Sequence, residues 1–343
     1  MKKIMFFRSL FYMGGTEMAI LNLIKKLKDF EINIGYCDET SDKELLSKFK
    51  EYAKVINISE IKEIKVDVFI PCSAHFQLSN HINKIKREKT VLWIHHLINL
   101  DTSVLSMSEE IEKIECIVSV SKTISDKLRQ LYPNLVSKIH TIYNIIDEEG
   151  IIELSKEPIQ LELSNTLNLV TVARVCKEKG FDRMLHLAKC LKNAKINFKW
   201  FIVGNNYYKN EFNRIFKNYN KYKEYFEWFG FLDNPHNIVR QCDYSVLLSD
   251  DETWGLVLSE AMILGVPCIS TDFKVAYEQI EDCENGIILS RDNIKTYKDR
   301  VVDIINNKDK FKNAVSKFKC NNDLILTKWY NFLQNSIIEK VNN

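Results

Sequence analysis

The sequence predicts an α/β protein built from two doubly wound units, each a parallel sheet with helices on both faces. Three observations carry this expectation. Short apolar, β-branched runs alternate with helical patterns along most of the chain, as in βαβ units. The alternation comes in two series, one from Lys3 to Ile142 and one from Leu167 to Leu289, separated by an acidic, poorly patterned segment at 148–165. At 343 residues the chain also exceeds one typical core, so two domains are expected.

In the first series, Lys3 to Phe7 reads as a buried strand. A loop ending in Gly14-Gly15-Thr16-Glu17 follows, and then Met18, Ile20, Leu21, Leu23, Ile24 and Leu27 recur at helical spacing. Further strand-like runs lie at Ile32 to Tyr36, Val55 to Ile58, Val66 to Ile70, Val91 to Ile94, Cys116 to Val120 and Ile139 to Ile142. Helical patterns at Glu44 to Tyr52 and Thr123 to Leu131 sit between them. The second series runs through Leu167 to Val172, Phe198 to Val203, Glu227 to Phe231, Tyr244 to Leu248, Pro267 to Thr271 and Gly286 to Leu289. Leu324, Trp329, Leu333 and Ile337 mark a final amphipathic helix. The expected domains are 1–150, 151–325, and a C-terminal helix at 326–343 that returns to the first.

Composition narrows the function classes. Hydrophobic residues make up 45% and charged residues 27%, the balance of a globular protein. A net charge of +2 provides no global field for nucleic acid. The nine cysteines include no Cys-x-x-Cys pair, which reads as reduced thiols rather than a disulfide frame or zinc site. Arg8 interrupts the apolar start of the chain, so it is not read as a signal peptide. No run approaches the ~20 apolar residues of a membrane span. A cytoplasmic protein is expected, with room for contact at the inner face of the cell membrane.

Chemistry concentrates in the second series. The run Tyr244 to Leu248 leads into a polar loop carrying Glu252, Thr253 and Trp254, then an apolar helix with Gly255 at its start, which carries Glu260 and which Gly265 ends. Two carboxylates eight residues apart return to within roughly 80° of one another on a helix, so both can face one cleft. Glu260 reads equally as a solvent-facing helix residue, because the same spacing recurs at Glu31/Glu39 and Glu149/Glu157. Arg174, at the end of the Leu169 to Ala173 strand, and Lys179 form a pair of cations suited to a diphosphate, Arg as a fork and Lys as a point charge. In the first series, Gly14 and Gly15 read either as an anion site at a helix N-terminus or as a tight turn. His95 and His96 close a strand; each suits a sugar hydroxyl, a phosphate oxygen or a structural role. The remaining histidines show no ligand spacing, so no metal is expected. The basic run at 81–89 reads as a solvated helix end or as a contact with an anionic membrane face.

In order along the chain, Gly14-Gly15-Thr16-Glu17, Trp93-Ile-His95, Val118-Ser-Val-Ser121, Tyr143-Asn144-Ile-Ile-Asp147, Arg174 with Lys179-Gly180, Val203-Gly204, Phe229-Gly230, Glu252-Thr-Trp-Gly255 through Glu260-Ala, Gly265-Val-Pro267 and Asn285-Gly286 resemble the retaining glycosyltransferases of family 4. The resemblance implies the GT-B fold, two Rossmann-like domains facing across a cleft. It implies a nucleotide-diphosphate sugar as donor, with UDP the expected nucleotide, and transfer of a hexose or N-acetylhexosamine to a glycan or lipid-linked acceptor in surface polysaccharide synthesis. No metal or other cofactor is implied. By the same resemblance, Arg174 and Lys179 grip the diphosphate, and Glu252 accepts from sugar hydroxyls and Glu260 from ribose hydroxyls. Gly14, Gly15 and Gly204 line the donor site with Thr253, Trp254, Gly255 and Leu256, and His95, or His96 one residue on, lies beside the sugar. Thr253 and Trp254 replace the Gly and Phe of many relatives, which narrows the space beside the sugar. Rival readings are a sugar-nucleotide epimerase or phosphorylase on the same plan, and a non-catalytic partner that binds the nucleotide sugar for a transferase.

Overall fold

The structure, a computed structural model, describes residues 1–73, 81–95, 114–205, 222 and 224–334. The chain forms two compact units. One comprises Met1–Ile146 with Asn321–Asn343, the other Asp147–Cys320.

The sheet of the first unit contains β1 (Lys3–Phe7), β2 (Glu31–Tyr36), β3 (Lys54–Asn57), β4 (Ile64–Pro71), β5 (Ile85–Ile94), β6 (Cys116–Ser119) and β7 (Ile139–Thr141). Their order is β3-β2-β1-β4-β5-β6-β7 and every pairing is parallel. The apolar runs become strands because a parallel sheet covered by helices buries both of its faces. Ile4 to Phe7 and Cys116 to Ser119 are accordingly closed to solvent. Helices α1 (Gly15–Ile24), α2 (Lys43–Lys50) and α3 (Lys122–Leu131) belong to this unit. Asp42 and Ser121 cap the last two by accepting from backbone N–H groups of the first turn.

In the second unit, β8 (Leu167–Val172), β9 (Phe198–Val203), β10 (Phe226–Gly230), β11 (Tyr244–Leu247), β12 (Cys268–Thr271) and β13 (Gly286–Leu289) form a parallel sheet ordered β10-β9-β8-β11-β12-β13. It is joined by α4 (Glu148–Leu154), α5 (Phe181–Asn193), α6 (His236–Val239), α7 (Leu256–Ile263), α8 (Tyr297–Asn306) and α9 (Lys308–Val315). Alternate residues of β8 enter different cores. Leu167 and Leu169 pack with Phe181 and Leu187 of α5 and Val301 of α8, while Val170 packs with Ile238 of α6 and Leu258 and Met262 of α7. A buried hydroxyl ties three central strands: Trp200 Nε1 donates to Thr171 Oγ1 at 3.0 Å, which donates to the Val246 carbonyl at 3.0 Å.

Strand order reverses between β1 and β4 in one sheet and between β8 and β11 in the other. In open α/β sheets, ligands bind at the carboxyl ends of strands at such switch points.

The unit bounds, the linker and the basic run differ from the sequence expectations, and the last helix joins the first unit as expected. The units divide after Ile146 and after Cys320, not at 150 and 325. The supposed linker begins with α4, capped by Asp147, whose Oδ1 accepts from Gly150 N at 3.2 Å; the Leu154 carbonyl accepts from Asn234 Nδ2 at 2.9 Å within the second unit. The last helix, α10, runs Asn322–Gln334 and lies in the first unit. Its Trp329 is fully buried against Trp93, ring centroids 4.9 Å apart, and Asn322 bonds both backbone groups of Ile146. The basic run at 81–89 is a 3₁₀ turn (Ile82–Lys84) followed by the first half of β5, not a helix end. Lys84 donates to the Ile58 and Ser59 carbonyls and Lys89 to the Phe332 carbonyl, so these charges are engaged within the unit.

Candidate active site

The switch point of the second sheet gathers most of the singled-out residues. After β8 the chain passes Arg174, which is exposed, and enters a 3₁₀ turn, Lys177–Lys179. Gly180 follows with φ of 66° and caps α5. Glycine is required there twice over. The angle is left-handed, and a Cβ would stand 1.9 Å from the Leu248 carbonyl oxygen. This close approach brings the β8 turn against the end of β11.

There Lys179 Nζ meets Glu252 Oε1 at 2.5 Å, and the same oxygen accepts from Ser249 Oγ at 2.7 Å. The side chains are only 20% and 14% exposed, so the pair is poorly screened by solvent. The Cys176 thiol is pushed up to about 11, by burial first and by Glu178, against the lowering influence of Arg174 and Lys179. Both cations are thus within electrostatic reach of one point in this turn.

The loop 249–255 is held from several directions. Arg183 donates from Nε to the Leu248 carbonyl at 2.8 Å and from Nη2 to Asp250 Oδ1 at 2.6 Å. Asp250 N donates to the Glu178 carbonyl at 2.7 Å, and Arg291 Nη1 to the Asp250 carbonyl at 2.7 Å. Thr271 Oγ1 donates to the Ser249 carbonyl at 2.5 Å. Thr253 and Trp254 lead to Gly255, which caps α7 at φ 73°, and Leu256 opens the helix. Gln279 clasps this start, donating to the Trp254 carbonyl and accepting from Ser259 Oγ at 2.6 Å. Sequence reading missed Arg183, Arg291 and Gln279. The available signal for Arg183 was its place on the apolar stripe of α5 with Met184, Leu187, Ala188 and Leu191.

Glu260 lies in the second turn of α7, between Ser259 and Ala261, both buried. Its carboxylate accepts no hydrogen bond among the described residues. Burial raises its pKa from the ordinary 4.5 to about 7, so near neutrality the group is poised between forms. Gly204 follows β9 at φ 151°, where a Cβ would stand 1.9 Å from the Ala173 carbonyl oxygen just before Arg174.

Gly14, Gly15 and His95 belong to the first unit. Gly14 precedes α1 in an extended conformation, and Gly15 opens the helix. The first turn of α1 already carries a buried carboxylate, Glu17, paired with Arg8 at 2.8 Å, which answers part of the helix dipole. His95 follows β5, is 4% exposed and stands with its ring 4.3 Å from that of Trp93. His96 lies outside the described residues. Among the described residues, no cluster of three or more His, Cys, Asp or Glu could hold a metal ion, and no helix is long and apolar enough to cross a membrane.

Residues 156–319 match the family described as Glycosyl transferases group 1. The chain is 26% identical over 319 residues to an uncharacterized glycosyltransferase of Methanocaldococcus jannaschii, covering 87% of this chain and 86% of that one. It is 24% identical over 294 residues to the O-antigen biosynthesis glycosyltransferase WclY of Escherichia coli, covering 77% and 78%. Among solved structures, Anabaena HepE in complex with UDP and glucose superposes with a TM-score of 0.77 at 15% identity, covering 97% of this chain and all of that one. At that identity the likeness establishes the fold, which is GT-B.

Proposed function

We propose that this protein is a retaining, metal-independent glycosyltransferase of family 4 type. It moves a hexose or N-acetylhexosamine from a UDP-sugar to a glycan or lipid-linked acceptor in surface polysaccharide synthesis, at the cytoplasmic face of the membrane. The observation that carries this reading is the Lys179–Glu252 pair at the β8/β11 switch point, with Arg174 before it and Glu260 on the helix after it. The group 1 match over this same unit and the O-antigen transferase among the relatives support it. HepE, of the same fold, holds UDP and glucose.

In this reading the departing diphosphate meets fixed positive charge from Arg174 and Lys179, stabilisation by groups already in place. Glu252, held by Lys179 and Ser249, accepts from hydroxyls of the transferred sugar. Glu260, whose carboxylate has no hydrogen-bond partner among the described residues, accepts from the ribose hydroxyls. Gly14 and Gly15 of the first unit serve the phosphates and the acceptor, and His95 the sugar. The narrower Thr253-Trp254 corner selects among donor sugars.

Thermal-shift screening against UDP-, GDP- and ADP-sugars tests the donor, since a ligand at 100 times its Kd stabilises by about 2.7 kcal/mol. Stabilisation by UDP-sugars above the others supports the reading. Incubation with UDP-sugars in the absence of acceptor tests the reaction class: accumulation of a 2-epimer replaces the transferase with an epimerase.

A further inference from the structure

A cavity of 260 Å³ opens at the carboxyl ends of β12 and β13, on the same sheet edge as the candidate site but two strands further along. Asp272, Tyr277, Leu289, Ser290, Thr296 and Arg300 line it. Pockets for drug-sized ligands run to roughly 300–1,000 Å³, so this one is the size of a single ring, not of a nucleotide. It is tied to the loop that bears Glu252, because Arg291 donates from N to Asp272 Oδ1 at 2.9 Å and from Nη1 to the Asp250 carbonyl.

The charge of the lining excludes phosphate. Arg300 is already matched by Asp282, at 2.7 and 3.1 Å, and by Asp303, at 2.9 Å, and Asp272 adds a further carboxylate. The Tyr277 hydroxyl is held above its ordinary value, by burial first and then by the carboxylates of Asp272 and Asp282. The polar groups that remain suit hydroxyls, each of which donates and accepts. Asp272 keeps an oxygen that can accept. Ser290 Oγ accepts from Asn293 N at 3.1 Å and keeps its proton; Thr296 Oγ1 donates to the Asn293 carbonyl at 2.7 Å and keeps its lone pairs. Tyr277, 59% exposed, offers a ring face and a phenol.

We infer that this cavity is a subsite for one uncharged pyranose ring, with Asp272, Ser290 and Thr296 bonding its hydroxyls and Tyr277 covering one face. Its location on the reactive edge of the sheet makes it a place for a ring of a bound glycan remote from the transfer point; only that assignment rests on the transferase reading.

Ligand-observed NMR on the full chain, with methyl α-glycosides of glucose, galactose and N-acetylglucosamine under saturating UDP, tests the inference. At least one glycoside is expected to show saturation transfer that UDP does not remove. Tyr277→Ala is expected to weaken it about tenfold, and Thr296→Trp to abolish it by filling the space, with UDP affinity unchanged in both. The inference is overturned if no glycoside gives a UDP-resistant signal, if both variants bind as the parent does, or if inorganic phosphate displaces the sugar. A chain that fails to bind UDP, yet binds a glycoside through Tyr277, removes the transferase reading and leaves the subsite.

Discussion

Lys179 Nζ lies 2.5 Å from Glu252 Oε1, joining the turn after β8 to the loop after β11 where the strand order of the second sheet reverses. One residue that suits a leaving diphosphate and one that suits sugar hydroxyls are therefore a single electrostatic unit. Removing either leaves the other charged and only partly solvated. Lys179→Ala and Glu252→Ala should each lower kcat/KM for transfer by about tenfold or more. The double variant should be less impaired than the product of the singles, with a coupling of about 0.5–3 kcal/mol. A double-mutant cycle in kcat/KM measures this; strict additivity would mean that the contact carries nothing.

Glu260 makes stability and binding depend on pH in opposite senses. Its folded pKa, about 7, stands above the ordinary 4.5, so the fold favours the protonated form. The stability this confers is fully present below 4.5 and is lost as pH rises towards and through about 7. Relative to Glu260→Gln, the parent chain should therefore lose Tm between those limits. UDP binding, which in the proposed reading asks this carboxylate to accept from ribose hydroxyls, should tighten over the same interval. Parallel Tm and UDP titrations across that range check both slopes, and a flat difference curve would remove the assigned pKa.

Two glycines separate backbone strain from steric contact. Gly230, at φ 70°, has nothing within 4 Å of an added Cβ, so Gly230→Ala should cost about 1–2 kcal/mol from the left-handed conformation alone. Gly180 shares the angle, but its Cβ would stand 1.9 Å from the Leu248 carbonyl oxygen, so Gly180→Ala should cost more and disturb the Lys179–Glu252 contact. Denaturant unfolding of both variants, with transfer rates, tests the ordering. Equal losses in the two would show that the β8 turn moves freely from β11.

Arg183 is a positioning residue, 10% exposed, that holds Leu248 and Asp250. Arg183→Met keeps the apolar stem and removes both bonds. A stability loss of about 1.5–3 kcal/mol is expected, because hydrogen bonds to charged groups are worth that much. With the loop loosened, kcat should fall while KM for the acceptor stays near its parent value. An unaffected kcat in a destabilised protein would leave Arg183 a structural residue only.

Much of this was written in short-range patterns. Apolar runs such as Leu167 to Val172 and Phe198 to Val203 became strands with those bounds, because strands buried on both faces leave no polar alternation to blur their ends. Alternating segments were harder. Ile85-Lys-Arg-Glu-Lys-Thr90 has one face against the unit and charged groups along the other, and in isolation its basic residues resemble a helix end. Of the site, the residues on the β8 and β11 loops could be singled out from sequence, whereas the contact between Lys179 and Glu252 depends on strand order, which no local pattern encodes. The restraints from Arg291 and Gln279 were invisible for the same reason, and Arg183 left only its place on the apolar stripe of α5 as a signal. Each acts on a loop distant in the chain.

The most direct test measures transfer from UDP-sugars to a lipid-linked or soluble glycan acceptor by the parent chain and by Glu252→Ala, with the anomeric configuration of the product determined by NMR. The account predicts a product that retains the donor configuration without added divalent metal, formed at least about tenfold more slowly by the variant. An inverted product, or equal rates for the two proteins, would contradict it.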